Sequence, residues 1–166
     1  GGWVIDKAGD ASILWMIVAA MIAALIAGFG LPERPSRDGP VERFPAFALL
    51  RQRRFLIFIT AVSLLQSSHA VIYVFGTIHW RDAGLPDHII GALWAEGVIA
   101  EIILFAFSGT VVAKFGPIRL MWIAAAAGIV RWGILANSTD MIVLFGTQWL
   151  HGLTFGAAHL AAMHYM

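Results

Sequence analysis

Five apolar stretches, at residues 12–30, 55–78, 89–112, 118–136 and 141–163, set the class of this chain. Each approaches the roughly 20 residues that carry a helix across the hydrocarbon core of a bilayer. A segment in lipid must satisfy its own backbone polar groups, which leaves helices or closed barrels. The runs lack the short alternating pattern of barrel strands. The expected fold is therefore an all-α membrane protein of about five transmembrane helices. Only 13% of the residues are charged and 60% are hydrophobic, against about 25% charged in a typical soluble domain. Reading one or two of the runs as buried helices of a soluble protein fits poorly with five runs of this length.

The segments between the runs are punctuated as loops. Asp10 or Ser12 can cap the first helix, and Gly28-Phe29-Gly30-Leu31-Pro32 is a Gly/Pro stop. Residues 32–54 form a polar linker with four prolines and six arginines, able to hold a short amphipathic helix over 44–52. Asp82–Asp87, Lys114–Pro117 and Asn137–Asp140 separate the later spans. The chain opens Gly1-Gly2-Trp3-Val4 without a basic leader and stops directly after an apolar run, which reads as an internal piece of a longer protein.

Charge gives the orientation. Arginines 34, 37, 43, 51, 53 and 54, with Lys114 and Arg119, fall on one side of an alternating bundle, and Lys7 and Arg81 on the other. The positive-inside rule then puts residues 32–54 in the cytoplasm. Trp15, Trp80, Trp94 and Trp132 fall near the expected outer interface and Trp122 near the inner one, as an aromatic belt would.

The polar residues within the spans carry the chemistry, because an ionisable group at mid-span costs about 2.5–3.5 kcal/mol on insertion scales and commonly faces the bundle interior. Glu101 is near the centre of the third span, and Arg131 lies at similar depth in the fourth. A Glu101–Arg131 ion pair or near pair is expected, with a static strut between helices as the plainer alternative. Gln66, His69 and Tyr73 fall at i, i+3, i+7 on the second span, and Gln148, His151, Phe155 and His159 at i, i+3, i+7, i+11 on the fifth. Each set makes one helical stripe, and both are expected to line a central polar cavity. Interhelical hydrogen bonding alone would explain one such stripe. Histidine changes charge near neutral pH, so a Glu, an Arg and a His at one depth can bind and release a proton. Glu96 lies nearer the outer interface, about 140° around the helix from Glu101, and reads as a solvated or rim residue. Gly152 and Gly156, and Ala124–Ala127 with Gly128, allow close helix approach.

Other chemistries lack support. There are no cysteines, which excludes disulfides and thiolate sites. His151 and His159 are not at the i, i+4 zinc spacing, and neither an HExxH motif nor a Gly-rich phosphate loop occurs. No metal, cofactor or enzymatic activity is expected. The net charge of +1 gives no basic field for nucleic acid.

The loop Gly109–Leu120, with Lys114, Gly116 and Arg119, resembles the loop signature of the major facilitator superfamily, although Ala113 stands where that signature has Asp. More specific are Leu65-Gln66-Ser67-Ser68-His69-Ala70 with Tyr73, Leu93–Glu101, Val130-Arg131-Trp132-Gly133-Ile134, and His151–Phe155 followed by His159–Met163. Together they resemble the 3-phenylpropionic acid transporter group of that superfamily, related to lactose-permease and nucleoside symporters, over residues 50–166 and loosely over the first span. The resemblance implies a twelve-helix fold in two halves and proton-coupled uptake across the bacterial inner membrane, with this chain matching helices six to ten. Residues 1–31 would then be the last helix of the amino-terminal half, 32–54 the cytoplasmic interdomain loop, and 55–166 the first four helices of the other half. The remainder of the same polypeptide, the lipid bilayer, protons and a small organic solute are the implied partners. By position, Glu101, Arg131 and His151 are similar to the proton-coupling carboxylate, arginine and histidine of the lactose type, but the second carboxylate of its helix ten is absent. A sugar or nucleoside symporter, or a non-transporting scaffold or sensor that keeps the fold, are the alternatives.

Overall fold

The computed structural model describes residues 49–165, together with residues 15, 17–19, 21–23, 25 and 26, which are helical. The expected cap at Asp10 or Ser12, the Gly28–Pro32 stop and the linker up to residue 48 lie outside the described residues.

Three helices among the described residues are long and apolar enough to cross a membrane: α1 (Arg53–Asp82), α2 (Asp87–Ala106) and α3 (Ser108–Asn137). The turn between α1 and α2 is built on Gly84, whose φ of 87° suits glycine alone, with Leu85 N–H bonding back to the Trp80 carbonyl at 3.0 Å. Pro86 precedes the first helical residue, Asp87, whose carboxylate meets Arg81 at 2.8 Å. That pair is exposed, so it adds little stability.

The junction between the third and fourth spans differs from the expected one. The third span ends at Ala106, not near residue 112, because Phe107 leaves helical geometry (φ −103°, ψ 12°). Residues 108–115 form a separate helical stretch, and Gly116 (φ 69°, ψ 165°) breaks α3 before Pro117. Only glycine adopts that conformation cheaply, and Pro117 has the fixed φ that suits the first residue of a new helical segment.

The fifth span is helical throughout but not uniform. It runs through α4 (Met141–Gln148), a π-helical stretch at Gly152–Ala157 and α5 (Ala158–Tyr165). Residues 141–165 rise about 37 Å at helical spacing. Asp140 caps the start by accepting N–H bonds from Ile142 and Val143 at 3.0 and 3.1 Å, which satisfies two otherwise orphaned donors.

This span packs between α2 and α3. Small residues make that possible: a Cβ on Gly152 would stand 2.8 Å from the Ala100 carbonyl oxygen, and one on Gly156 would stand 2.8 Å from Leu104. One apolar cluster, centred on Leu120, Ala124, Ala157, Ala158, Leu160 and Ala161, fills one end of the bundle. A second, of Trp80, Ile90, Leu93, Leu135 and Leu144, fills the other. Between them lies a layer of buried polar side chains, His69, Arg131, Gln148, His151 and Thr154. Large apolar side chains such as Leu64, Phe75, Ile102, Ile129 and Ile142 face outward, the arrangement expected with lipid as solvent.

The tryptophans expected in an aromatic belt differ in their surroundings. Trp15 and Trp122 are exposed. Trp80 is 1% exposed and belongs to the core. Trp94 and Trp132 donate their indole N–H groups to Thr77 and Ser68 at 3.1 and 3.2 Å, so they tie helices together.

Candidate functional site

α3 places Arg131, 1% exposed, in the middle of the polar layer. A buried guanidinium is tolerable only when its N–H groups are answered. Three acceptors do so, all on the fifth span: His151 Nδ1 at 2.7 Å and Thr154 Oγ1 at 3.0 Å from Nη1, and Gln148 Oε1 at 2.9 Å from Nη2. The cation also lies 4.8 Å from the Trp132 ring centroid, close enough for a cation–π contact.

The other ring nitrogen of His151, Nε2, is 2.5 Å from Glu101 Oε1 on α2. An arginine can only donate, so Nδ1 accepts and the imidazole proton resides on Nε2, directed at the carboxylate. The three side chains form a relay in the order Arg131, His151, Glu101. The expected Glu101–Arg131 ion pair or near pair is a near pair, bridged by His151. The fifth span lies between α2 and α3, and its histidine occupies the space between the two charges. Gly97 makes room for the ring, since a Cβ there would stand 3.1 Å from His151 Cδ2.

A cavity of about 230 Å³ opens on this relay, lined by Tyr73, Trp94, Glu101, Arg131, Gln148, His151 and Phe155 among others. Tyr73 points its hydroxyl to within 3.5 Å of His151 Nε2. Trp94 is 5.7 Å from the Tyr73 ring, and Phe155 stacks on His151 at 5.6 Å. Two donors in the same layer, Arg131 Nε and Gln148 Nε2, have no hydrogen-bond partner among the described residues.

The sequence-derived cavity set divides. Tyr73 and Gln148 line the cavity with the three relay residues. His69 is buried behind it, with Nδ1 on the Leu65 carbonyl at 3.0 Å and Nε2 on Thr154 at 3.1 Å. Gln66 and His159 are not among its lining residues. His159 is exposed and continues the stack from Phe155, at 6.3 Å, whereas Gln66 has a buried Oε1 with no partner among the described residues. Glu96 is half-buried, with Oε2 buried and unpartnered among the described residues.

A family model described as "MFS_1 like family" matches residues 1–166. The chain belongs to the MFS_1 like family. This multi-pass membrane protein of the major facilitator type is 36% identical, over 95% of its length, to a protein of Escherichia coli named as a probable 3-phenylpropionic acid transporter. It is 23% identical over 92% of its length to an uncharacterized transporter of Bacillus subtilis, and 26% identical over 99% to a maltose permease of Geobacillus stearothermophilus. It spans 42%, 37% and 42% of those relatives, under half of each. No solved structure matches the chain.

Two contributors to the site, Trp94 and Thr154, are not members of the two polar stripes. Trp94 lies seven residues before Glu101, on the same face of α2, a spacing that signals a shared wall. Thr154 lies three residues after His151, and its small hydroxyl gave no signal beyond that spacing.

Proposed function

We propose that this MFS_1 like chain forms part of a proton-coupled transporter of the bacterial inner membrane that moves a small organic acid bearing an aromatic ring. The relay Arg131–His151–Glu101, bordering a cavity with aromatic walls, carries this reading. Arg131 and Gln148 offer buried donors to a solute carboxylate, and a guanidinium suits a planar carboxylate by bidentate pairing. Tyr73, Trp94 and Phe155 offer ring faces to an aromatic body. Glu101, whose Oε1 accepts the His151 Nε2–H, takes up the coupled proton on its other oxygen, next to the group that holds the anion. Solute and proton would therefore meet in one layer at the middle of the spans, as alternating access about a midplane site requires. The likeness to a probable 3-phenylpropionic acid transporter supports the same solute class.

In the complete protein, residues 1–31 close the amino-terminal half, 32–54 form a cytoplasmic interdomain loop and 55–166 begin the second half. The excess of arginine and lysine on that side supports the orientation. A sugar symporter is the second reading, supported by the likeness to a maltose permease. Uptake of 3-phenylpropionate, maltose and a nucleoside by vesicles containing the complete polypeptide, with and without an imposed proton gradient, separates the readings. Gradient-driven accumulation of the aromatic acid alone is expected. Accumulation of maltose alone favours the second reading, and no accumulation of any solute favours a scaffold or sensor.

A further inference from the structure

Thr154 is fully buried, and its hydroxyl lies 3.0 Å from Arg131 Nη1, 3.1 Å from His69 Nε2 and 3.3 Å from the His151 carbonyl. Its neighbours determine which group donates. The Leu65 carbonyl beside His69 Nδ1 can only accept, so the neutral His69 ring carries its proton there. His69 Nε2 and the His151 carbonyl then share the single Thr154 hydroxyl proton, as acceptors at 3.1 and 3.3 Å, which leaves the Thr154 lone pairs for the guanidinium. Arg131 Nη1 has two protons in a fixed plane, and the two acceptors within reach are Thr154 Oγ1 and His151 Nδ1. Placing one N–H therefore places the other.

We propose that Thr154 is a positioning residue: it turns the Arg131 guanidinium so that Nη1 faces His151 Nδ1, which keeps the imidazole proton on Nε2, toward Glu101. The local backbone supports this role. Thr154 stands in the π-helical stretch Gly152–Ala157, which begins directly after His151, and π-turns within helices recur at functional sites. His151 and Thr154, three residues apart, both reach the same guanidinium nitrogen. The proposal rests on the proton-coupled reading above and adds a residue that neither binds solute nor carries the transported proton.

The test uses the complete polypeptide in vesicles, with Thr154→Val, Thr154→Ala and Thr154→Ser beside wild type and Glu101→Gln, and 3-phenylpropionate as the probe. Uphill accumulation under a proton gradient, exchange without one, and the pH profile of uptake are measured. Loss of one hydrogen bond to a charged group predicts at least a roughly ten-fold fall in accumulation for Val and Ala. Exchange should stay within about two-fold and the pH midpoint should move by roughly half a unit or more, with Ser close to wild type. Val and Ala variants that accumulate solute like wild type with an unmoved pH profile overturn the proposal. So does loss of exchange and accumulation together in all three variants, since that pattern marks a packing residue. If wild type fails to accumulate the probe, or Glu101→Gln accumulates it normally, the underlying proton-coupled reading fails instead.

Discussion

His151 stands between Arg131 and Glu101, with Nδ1 2.7 Å from the guanidinium and Nε2 2.5 Å from the carboxylate. One imidazole thus joins a cation on α3 to an anion on α2, and its two nitrogens have opposite hydrogen-bonding roles. Replacing it with Gln, which cannot span the same gap with an acceptor and a donor on one rigid ring, should reduce gradient-driven uptake by at least about ten-fold. Vesicle uptake by His151→Gln checks this, with membrane insertion measured beside it.

Arg131 should not tolerate Lys. The guanidinium answers three acceptors in one plane, whereas an ammonium is a point charge without that fork. The Arg131→Lys variant should insert but bind the acid at least roughly ten-fold more weakly. Equilibrium binding of labelled 3-phenylpropionate to the complete protein in detergent measures the difference.

Gly97 should not accept a methyl group. A Cβ 3.1 Å from His151 Cδ2 is tighter than ordinary van der Waals contact, so the ring must shift by a few tenths of an ångström against its contact with Glu101. Gly97→Ala is expected to lose coupled uptake and about 1–3 kcal/mol of stability. Uptake and thermal unfolding of the purified variant report the two effects separately.

Gly152 tests packing without touching the relay. Its added Cβ would stand 2.8 Å from the Ala100 carbonyl oxygen, a backbone atom that cannot swing aside. Gly152→Ala should therefore lower the thermal midpoint more than Gly133→Ala, where an added Cβ meets nothing within 4 Å.

Much of this arrangement was legible in the sequence because burial of polar groups in lipid is so costly. Glu101, Arg131, His69, His151 and Gln148 could be picked out by depth alone, and helical periodicity put His151 and Gln148 on one stripe. Helix order in space was not legible. Depth along a span says nothing about which span stands between two others, so a Glu101–Arg131 ion pair or near pair could be expected and the interposed histidine could not. The break at Phe107 was hidden because an apolar run continues through it. The π-turn at Gly152–Ala157 was hidden because a periodicity argument assumes a uniform helix. Trp80 and Trp132 looked like interface anchors by position, yet Trp80 fills the core and Trp132 bonds Ser68, choices set by packing partners far away in sequence.

Glu101, beside His151, is the residue that takes up the coupled proton. The most direct measurement compares wild type with Glu101→Gln in vesicles of the complete protein, following 3-phenylpropionate accumulation under an imposed proton gradient and solute exchange without one. The variant should exchange solute but no longer accumulate it. Undiminished gradient-driven accumulation by a well-inserted Glu101→Gln protein would contradict it.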